Sequence, residues 1–316
     1  MAERQKIAFL FPGQGSQYVG MGKEFLESDH EARALLAQAE ALSGYPLQRL
    51  CLEGPMEELT RTAYLQPAVT VLNLMALQAL GRAGVKADLV AGHSLGEYSA
   101  LCAAGVVSYE DALRLTTERG RLMEREAEAH PGVMAAILGL DIDKVSEIVA
   151  AVRDQGIITV ANHNSAQQIV ISGEPLPLAA AGELASAQGG KAITLKVSGA
   201  WHSELVAGAV PDFSAFMAKV DFKAPQRPLL FNVTAAEEHD PAAIRAIMSR
   251  QIASSVRWFE IINECLARGI ETFVEVGPKT VLSGLLKKIV PTGRAYRAFQ
   301  VDTPAAVAKL VEELKS

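Results

Sequence analysis

The chain has 316 residues, enough for one large α/β domain carrying an insertion or for two domains. Its 49% hydrophobic and 21% charged residues place it among ordinary globular proteins and away from disordered or fibrous classes. A formal net charge of -6 argues against nucleic acid as the main partner, and three widely separated cysteines without CxxC spacing exclude a disulfide framework or zinc knuckle and fit a reducing cytoplasm.

In chain order, "KIAFLF" is a continuous apolar run closed by "PGQG", as expected of a strand buried on both faces of a parallel sheet. The run is too short for a secretory segment. Helical spacing follows in "EARALLAQAEAL" and in "PAVTVLNLMALQALGRAG", which Pro67 should start. Asn73 and Gln78 interrupt the second of these short of the ~20 apolar residues a membrane span needs, so no membrane crossing is expected. "ADLVAGHS" then "LGEYSALCAAGVVS" reads as strand, turn and helix, and "SYEDALRLTTERGRLMEREAEA" is a helix whose Ser108 and Asp111 form a weaker capping box.

From "GVMAAILGL" to "KAITLKVS" the order becomes β-α-β-β-α-β, the split unit of a ferredoxin-like subdomain. The expected organisation is a hydrolase-like α/β core with a mainly parallel sheet, residues 1–130 and 200–316, and an inserted ferredoxin-like α+β subdomain, residues 131–199. The α/β pattern resumes with the helix "HSELVAGAVPDFSAFMAKV", the strand "LLFNVT", helices over 241–266, the strand "ETFVEVG" and the helix "KTVLSGLLKKIV".

"GHSLG" places Ser94 in a G-x-S-x-G turn between a buried strand and a helix, so its hydroxyl would project and the Leu95 amide would face an oxyanion. Without that context the pentapeptide reads equally as a Gly-Ser turn capping a helix. A serine needs a base, and among six histidines His202, after "LKVSGA", is best placed, with His163 as runner-up. His93 adjoins Ser94 on the same turn, which is the wrong geometry, and a structural histidine is the alternative for both candidates. No acidic residue at a strand end between Ser94 and His202 completes a triad, so the expectation is a dyad whose imidazole is oriented by a carbonyl or an amide. "FPGQGSQ" lacks both phosphate-loop fingerprints, and its Gln14 suits a second oxyanion amide. The helix bearing Glu118, Arg119, Gly120 and Arg121 offers guanidinium groups for a substrate carboxylate, although any one of them taken alone reads first as a solvated helix face. No metal-ligand spacing is present.

Together "FPGQGSQYVGMG", "LQPA", "AGHSLGEYSAL", "ERGRLM", "NHNSAQQIVISG", "HSELV", "FNVTA", "QIASSVRW" and "VEVGPKTVLSGL" give the chain an end-to-end resemblance to the malonyl-CoA:acyl carrier protein transacylases. The resemblance implies ping-pong transfer of malonyl from coenzyme A to the phosphopantetheine thiol of acyl carrier protein through an acyl-serine on Ser94. His202 would act as base and acid, Arg119 would hold the malonyl carboxylate, and Gln14 and Leu95 would supply the oxyanion amides. Gln251 maps to the glutamine associated with orienting the histidine, and Asn162 and Asn164 to residues lining the site. No permanently bound cofactor or metal is implied, and the expected partners are malonyl-CoA and the carrier protein, for a cytoplasmic monomer. Trp201 departs from the phenylalanine or small residue of many relatives, and either narrows the acyl pocket or packs in the core. "GPKT" at 277–280 departs from a smaller residue, without expected catalytic consequence. The rival readings are a serine hydrolase that edits acylated carrier proteins, which Arg119 disfavours, and a non-catalytic carrier-docking module, which the retained Ser94, His202, Arg119 and Gln251 disfavour. Lys287 and Lys288 could steer an acidic carrier. Fatty-acid and polyketide synthesis stay equally open, as does tolerance of methylmalonyl.

Overall fold

The computed structural model describes residues 5–315. The chain opens with β1 (Lys6–Phe11), α1 (Lys23–Ser28), α2 (His30–Ser43), α3 (Leu47–Leu52), α4 (Met56–Leu59), α5 (Thr62–Arg82), β2 (Leu89–Gly92), α6 (Gly96–Ala103) and α7 (Tyr109–Ala129). A second stretch holds β3 (Val133–Leu138), α8 (Ile142–Ala151), β4 (Ile158–Ser165), β5 (Gln168–Gly173), α9 (Pro175–Ala187) and β6 (Lys191–Thr194). The last holds α10 (Ala209–Met217), β7 (Leu229–Leu230), α11 (Pro241–Gln251), α12 (Trp258–Ala267), β8 (Ile270–Val276), α13 (Val281–Ile289), β9 (Arg297–Val301) and α14 (Pro304–Glu313).

The larger sheet is parallel throughout, in the order β7-β2-β1-β8-β9. β1 lies at its centre, and the two-residue alternation of a strand sends Phe9 and Phe11 to one face and Ala8 and Leu10 to the other. Each set joins a different apolar cluster: the first packs with α2, α5, α6 and α7, the second with α12 and α13. A strand covered on both faces has no solvent side, which is why "KIAFLF" shows no polar alternation. The smaller sheet is antiparallel, ordered β4-β5-β3-β6, with α8 and α9 on one face. That order is the ferredoxin-like one.

α5 starts five residues earlier than Pro67 predicts and carries the proline inside it. Thr62, Ala63, Leu65 and Gln66 are all buried, so tertiary packing carries the helix through a residue that lacks an N-H. Among the described residues α5 is the one helix long and apolar enough to cross a membrane by length and composition; 83% of that window is buried inside the molecule. Ser108 caps α7 as expected, its Oγ accepting the Asp111 amide at 3.0 Å.

Loops at the carboxyl ends of β1, β2 and β7 converge, the edge at which open parallel sheets place their sites. The small sheet is tied to the same edge: Val256, just before α12, pairs with β4 through His163 N to Val256 O at 2.9 Å and Val256 N to Ala161 O at 2.8 Å.

Candidate active site

Ser94 follows β2 directly and sits at φ 49°, in the left-handed region that a non-glycine residue adopts only when its surroundings impose it. The flanking glycines make that turn possible by close approach. A Cβ on Gly96 would stand 1.9 Å from the Phe11 carbonyl oxygen, and one on Gly92 would stand 2.1 Å from the Gly96 carbonyl carbon. The "GQGSQ" loop after β1 packs against this turn, since a Cβ on Gly13 would meet the His93 carbonyl oxygen at 2.5 Å and the Leu95 nitrogen at 3.4 Å. The loop is braced from within by Gly15 N to Gln17 Oε1 at 2.8 Å and Ser16 Oγ to Gly13 O at 2.7 Å. Among the described residues neither the Gln14 nor the Leu95 amide donates to a protein acceptor; Gln14 lines the cleft and Leu95 directly follows Ser94.

His202 Nε2 lies 2.8 Å from Ser94 Oγ. Its Nδ1 faces two main-chain carbonyls, Ser254 O at 2.9 Å and Gln251 O at 3.1 Å. A carbonyl only accepts, so Nδ1 carries the hydrogen and Nε2 presents its lone pair to the serine. The ring thus has carbonyl orientation in place of a carboxylate, and Gln251 contributes to it through its main chain. His202 stands in a turn at φ 60° instead of opening a helix; Ser203 caps a short 3-10 turn over Glu204–Val206, and α10 begins only at Ala209. Burial, helped by the Arg119 charge, drives the His202 pKa down to about 3 against the pull of the two carbonyls. The imidazole is therefore a neutral base at ordinary pH.

Arg119, on α7, is completely buried beneath the serine. Its Nη1 donates to Gln66 Oε1 at 2.8 Å, and its Nη2 donates to Gln251 Oε1 at 3.0 Å and to Ser94 Oγ at 3.2 Å. The guanidinium lies over the Tyr98 ring at 5.6 Å, and Nε has no partner. Burial works against its charge, opposed by Tyr98 and Glu97. Among the described residues Arg119 makes no salt bridge, so a buried cation at the nucleophile is held by neutral oxygens alone.

Gln14, Asn162, Asn164 and Trp201 line one cavity of about 190 Å³ with Ser94 and His202. Asn162 and Asn164 enter it from β4, and Asn164 Oδ1 lies 2.8 Å from His93 Nε2. Trp201 closes one side together with Met123, Met134 and Val197. His163 turns elsewhere, with Nδ1 3.1 Å from Glu260 Oε1. Sequence reasoning passed over Glu97 and Asn232, both fully buried at the turn. The signal for Glu97 was a lone carboxylate inside "LGEYSALCAAG", and for Asn232 an amide closing the apolar strand "LLFN". Among the described residues no group of three or more His, Cys, Asp or Glu could hold a metal.

A serine on a strand-turn-helix elbow, paired with an imidazole and flanked by two uncommitted amides, defines an α/β enzyme built for acyl transfer through serine. Known proteins place it further: the family model for the acyl transferase domain matches residues 8–315. The chain belongs to that acyl transferase family. It is 41% identical over 312 residues to the malonyl CoA-acyl carrier protein transacylase of Bacillus subtilis strain 168, covering 98% of each chain. It superposes on the malonyl CoA-acyl carrier protein transacylase of Coxiella burnetii with a TM-score of 0.94 at 32% identity over 99% of each chain. It also superposes, with a TM-score of 0.93 at 34% identity over 98% of this chain and 100% of the other, on a malonyl-transacylase solved in complex with its type II polyketide acyl carrier protein.

Proposed function

We infer that the protein is a malonyl-CoA:acyl carrier protein transacylase, moving malonyl from coenzyme A to the phosphopantetheine thiol of a carrier protein. The observation that carries this reading is the buried Arg119 guanidinium, 3.2 Å from Ser94 Oγ and, among the described residues, partnered only by neutral groups. A carboxylate on the acyl group would complete it, whereas an acetyl group leaves a desolvated charge unpaired.

In the first half-reaction Ser94 Oγ attacks the thioester carbonyl as its proton passes to His202 Nε2. The Gln14 and Leu95 amides receive the oxyanion, which collapses to the acyl-serine ester, and the imidazolium protonates the departing coenzyme A sulfur. In the second half-reaction the carrier thiol gives its proton to His202 and attacks the ester, and Ser94 Oγ leaves with that proton. Nδ1, facing two carbonyls, keeps the same tautomer ready for both halves.

Intact-protein mass spectrometry tests the reading. Malonyl-CoA should add one malonyl group to the wild type and none to Ser94→Ala, and holo carrier protein should then remove it and gain it. Release of coenzyme A without malonyl on the carrier would make the protein a hydrolase instead.

A further inference from the structure

Behind Ser94, hydrogen bonds join the nucleophile to the guanidinium through two residues outside the reaction just described. Glu97, in the first turn of α6, accepts at both oxygens: Oε1 takes the Asn232 main-chain amide at 2.7 Å and Oε2 takes Gln251 Nε2 at 2.8 Å. Asn232 in turn grips the elbow, its Oδ1 accepting the Ser94 amide and its Nδ2 donating to the Gly92 carbonyl, each at 2.7 Å. Gln251 Nε2 also donates to the Ser94 carbonyl at 2.8 Å. The Ser94 main chain is therefore held at its N-H by one amide side chain and at its C=O by another, and both holders are tied to one carboxyl.

This arrangement also decides which way Gln251 points. With Nε2 between two acceptors, Glu97 Oε2 and the Ser94 carbonyl, only Oε1 is left to face Arg119. A reversed amide would set its oxygen against two acceptors and its NH2 against a guanidinium.

We propose that Glu97 is a positioning residue that, by accepting from Gln251 and Asn232 together, fixes the Arg119 guanidinium and the Ser94 turn in one rigid frame. The proposal rests on the acyl-transfer reading above. It makes the distance between the reacting carbonyl and the acyl carboxylate a property of that frame.

Glu97→Gln tests it, because an amide at 97 must aim its NH2 at one of two incoming donors and so frees Gln251 to turn. Rates per folded molecule, with folding followed by thermal melting, are compared for malonyl-CoA and acetyl-CoA. The wild type in the same assay settles separately whether the protein transfers malonyl at all. The expected result is a ~10-fold or greater loss of malonyl over acetyl preference, with kcat/KM for malonyl-CoA falling by about the same factor. Equal losses for both acyl groups, or rates within about twofold of wild type, would overturn the proposal. Asn232→Ser decides the matter if Glu97→Gln does not fold. It loosens the elbow without touching Gln251, so acylation by both acyl groups should slow together by ~10-fold, and unchanged rates would overturn the frame.

Discussion

At the residue scale the site sets one buried cation, Arg119, beside a neutral imidazole and the nucleophile. Arg119→Ala removes the guanidinium that donates to Ser94 Oγ and should lower kcat/KM for malonyl-CoA by roughly 10²-fold, while acetyl-CoA is used relatively better. Steady-state rates with both thioesters check this, and an unchanged malonyl-to-acetyl ratio would remove the carboxylate clamp. His202 has a different consequence. Its pKa is depressed to about 3, so the folded protein refuses a proton that the unfolded chain takes up near the ordinary histidine value. That contribution is whole above about pH 6.5 and is lost as pH falls toward 3, amounting to about 2 kcal/mol by pH 5. Melting curves from pH 7 to 5 should therefore fall more steeply for wild type than for His202→Asn, whose side chain tolerates the same positive φ. Parallel curves would count against a neutral buried imidazole. Ser94 and His202 were legible from the glycine-flanked turn and the position after a strand, whereas Arg119 stood out from its neighbours only through the family resemblance. Glu97 and Asn232, 135 positions apart, acquire theirs only when β7 docks beside β2, which no local pattern records.

At the scale of elements, the elbow depends on how closely the first turn of α6 passes over β1. Gly96→Ala forces a Cβ into the Phe11 carbonyl at 1.9 Å, backbone that cannot move without shifting the central strand. The expected loss is ~2 kcal/mol or more, about 3 °C or more in Tm. Gly284→Ala is the contrasting case: the position lies within α13, is exposed, and has nothing within 4 Å of the added methyl. It should gain ~0.5–1 kcal/mol from helix propensity alone. Calorimetry of the two variants separates close approach from mere glycine entropy, and a stable Gly96→Ala protein would refute the steric account. The strands and long helices up to 290 were legible because buried strands and amphipathic helices carry strong periodicity, while the short α1, α3 and α4 span too few residues to show one. β9 escaped it, since at the sheet edge "RAFQV" is only partly buried and shows no apolar run. β7 shrank to Leu229–Leu230 because the next main-chain amides bond elsewhere, Phe231 N to Ala236 O and Asn232 N to Glu97 Oε1.

Over the whole molecule, the cleft has one wall from the small sheet, through Asn162, Asn164 and Val170, and another from α13, through Val281, Leu282 and Leu285. A phosphopantetheine arm would reach Ser94 along these apolar walls, so its carrier must rest on the rim. Lys288 stands there, with Nζ 2.7 Å from Oε1 of Gln168, itself a cleft residue, and Lys287 precedes it on the exposed end of α13. On a chain of net charge -6, Lys288 beside the mouth, with Lys287 next to it on the exposed end of α13, gives an acidic carrier a local attraction that the overall charge opposes. Lys287→Glu/Lys288→Glu should therefore slow transfer to the carrier at low ionic strength by ~3- to 10-fold, with the gap closing as salt screens it. Coenzyme A is itself anionic, so the measurement must isolate the second half-reaction. The enzyme is loaded with malonyl, freed of coenzyme A, and mixed with holo carrier in a single turnover. Discharge to free pantetheine, which carries no phosphate, should proceed at the wild-type rate in the same variant. A variant slowed equally with pantetheine would place the lysines' effect on the cleft itself, and one unaffected at low salt would move the docking surface elsewhere on the rim.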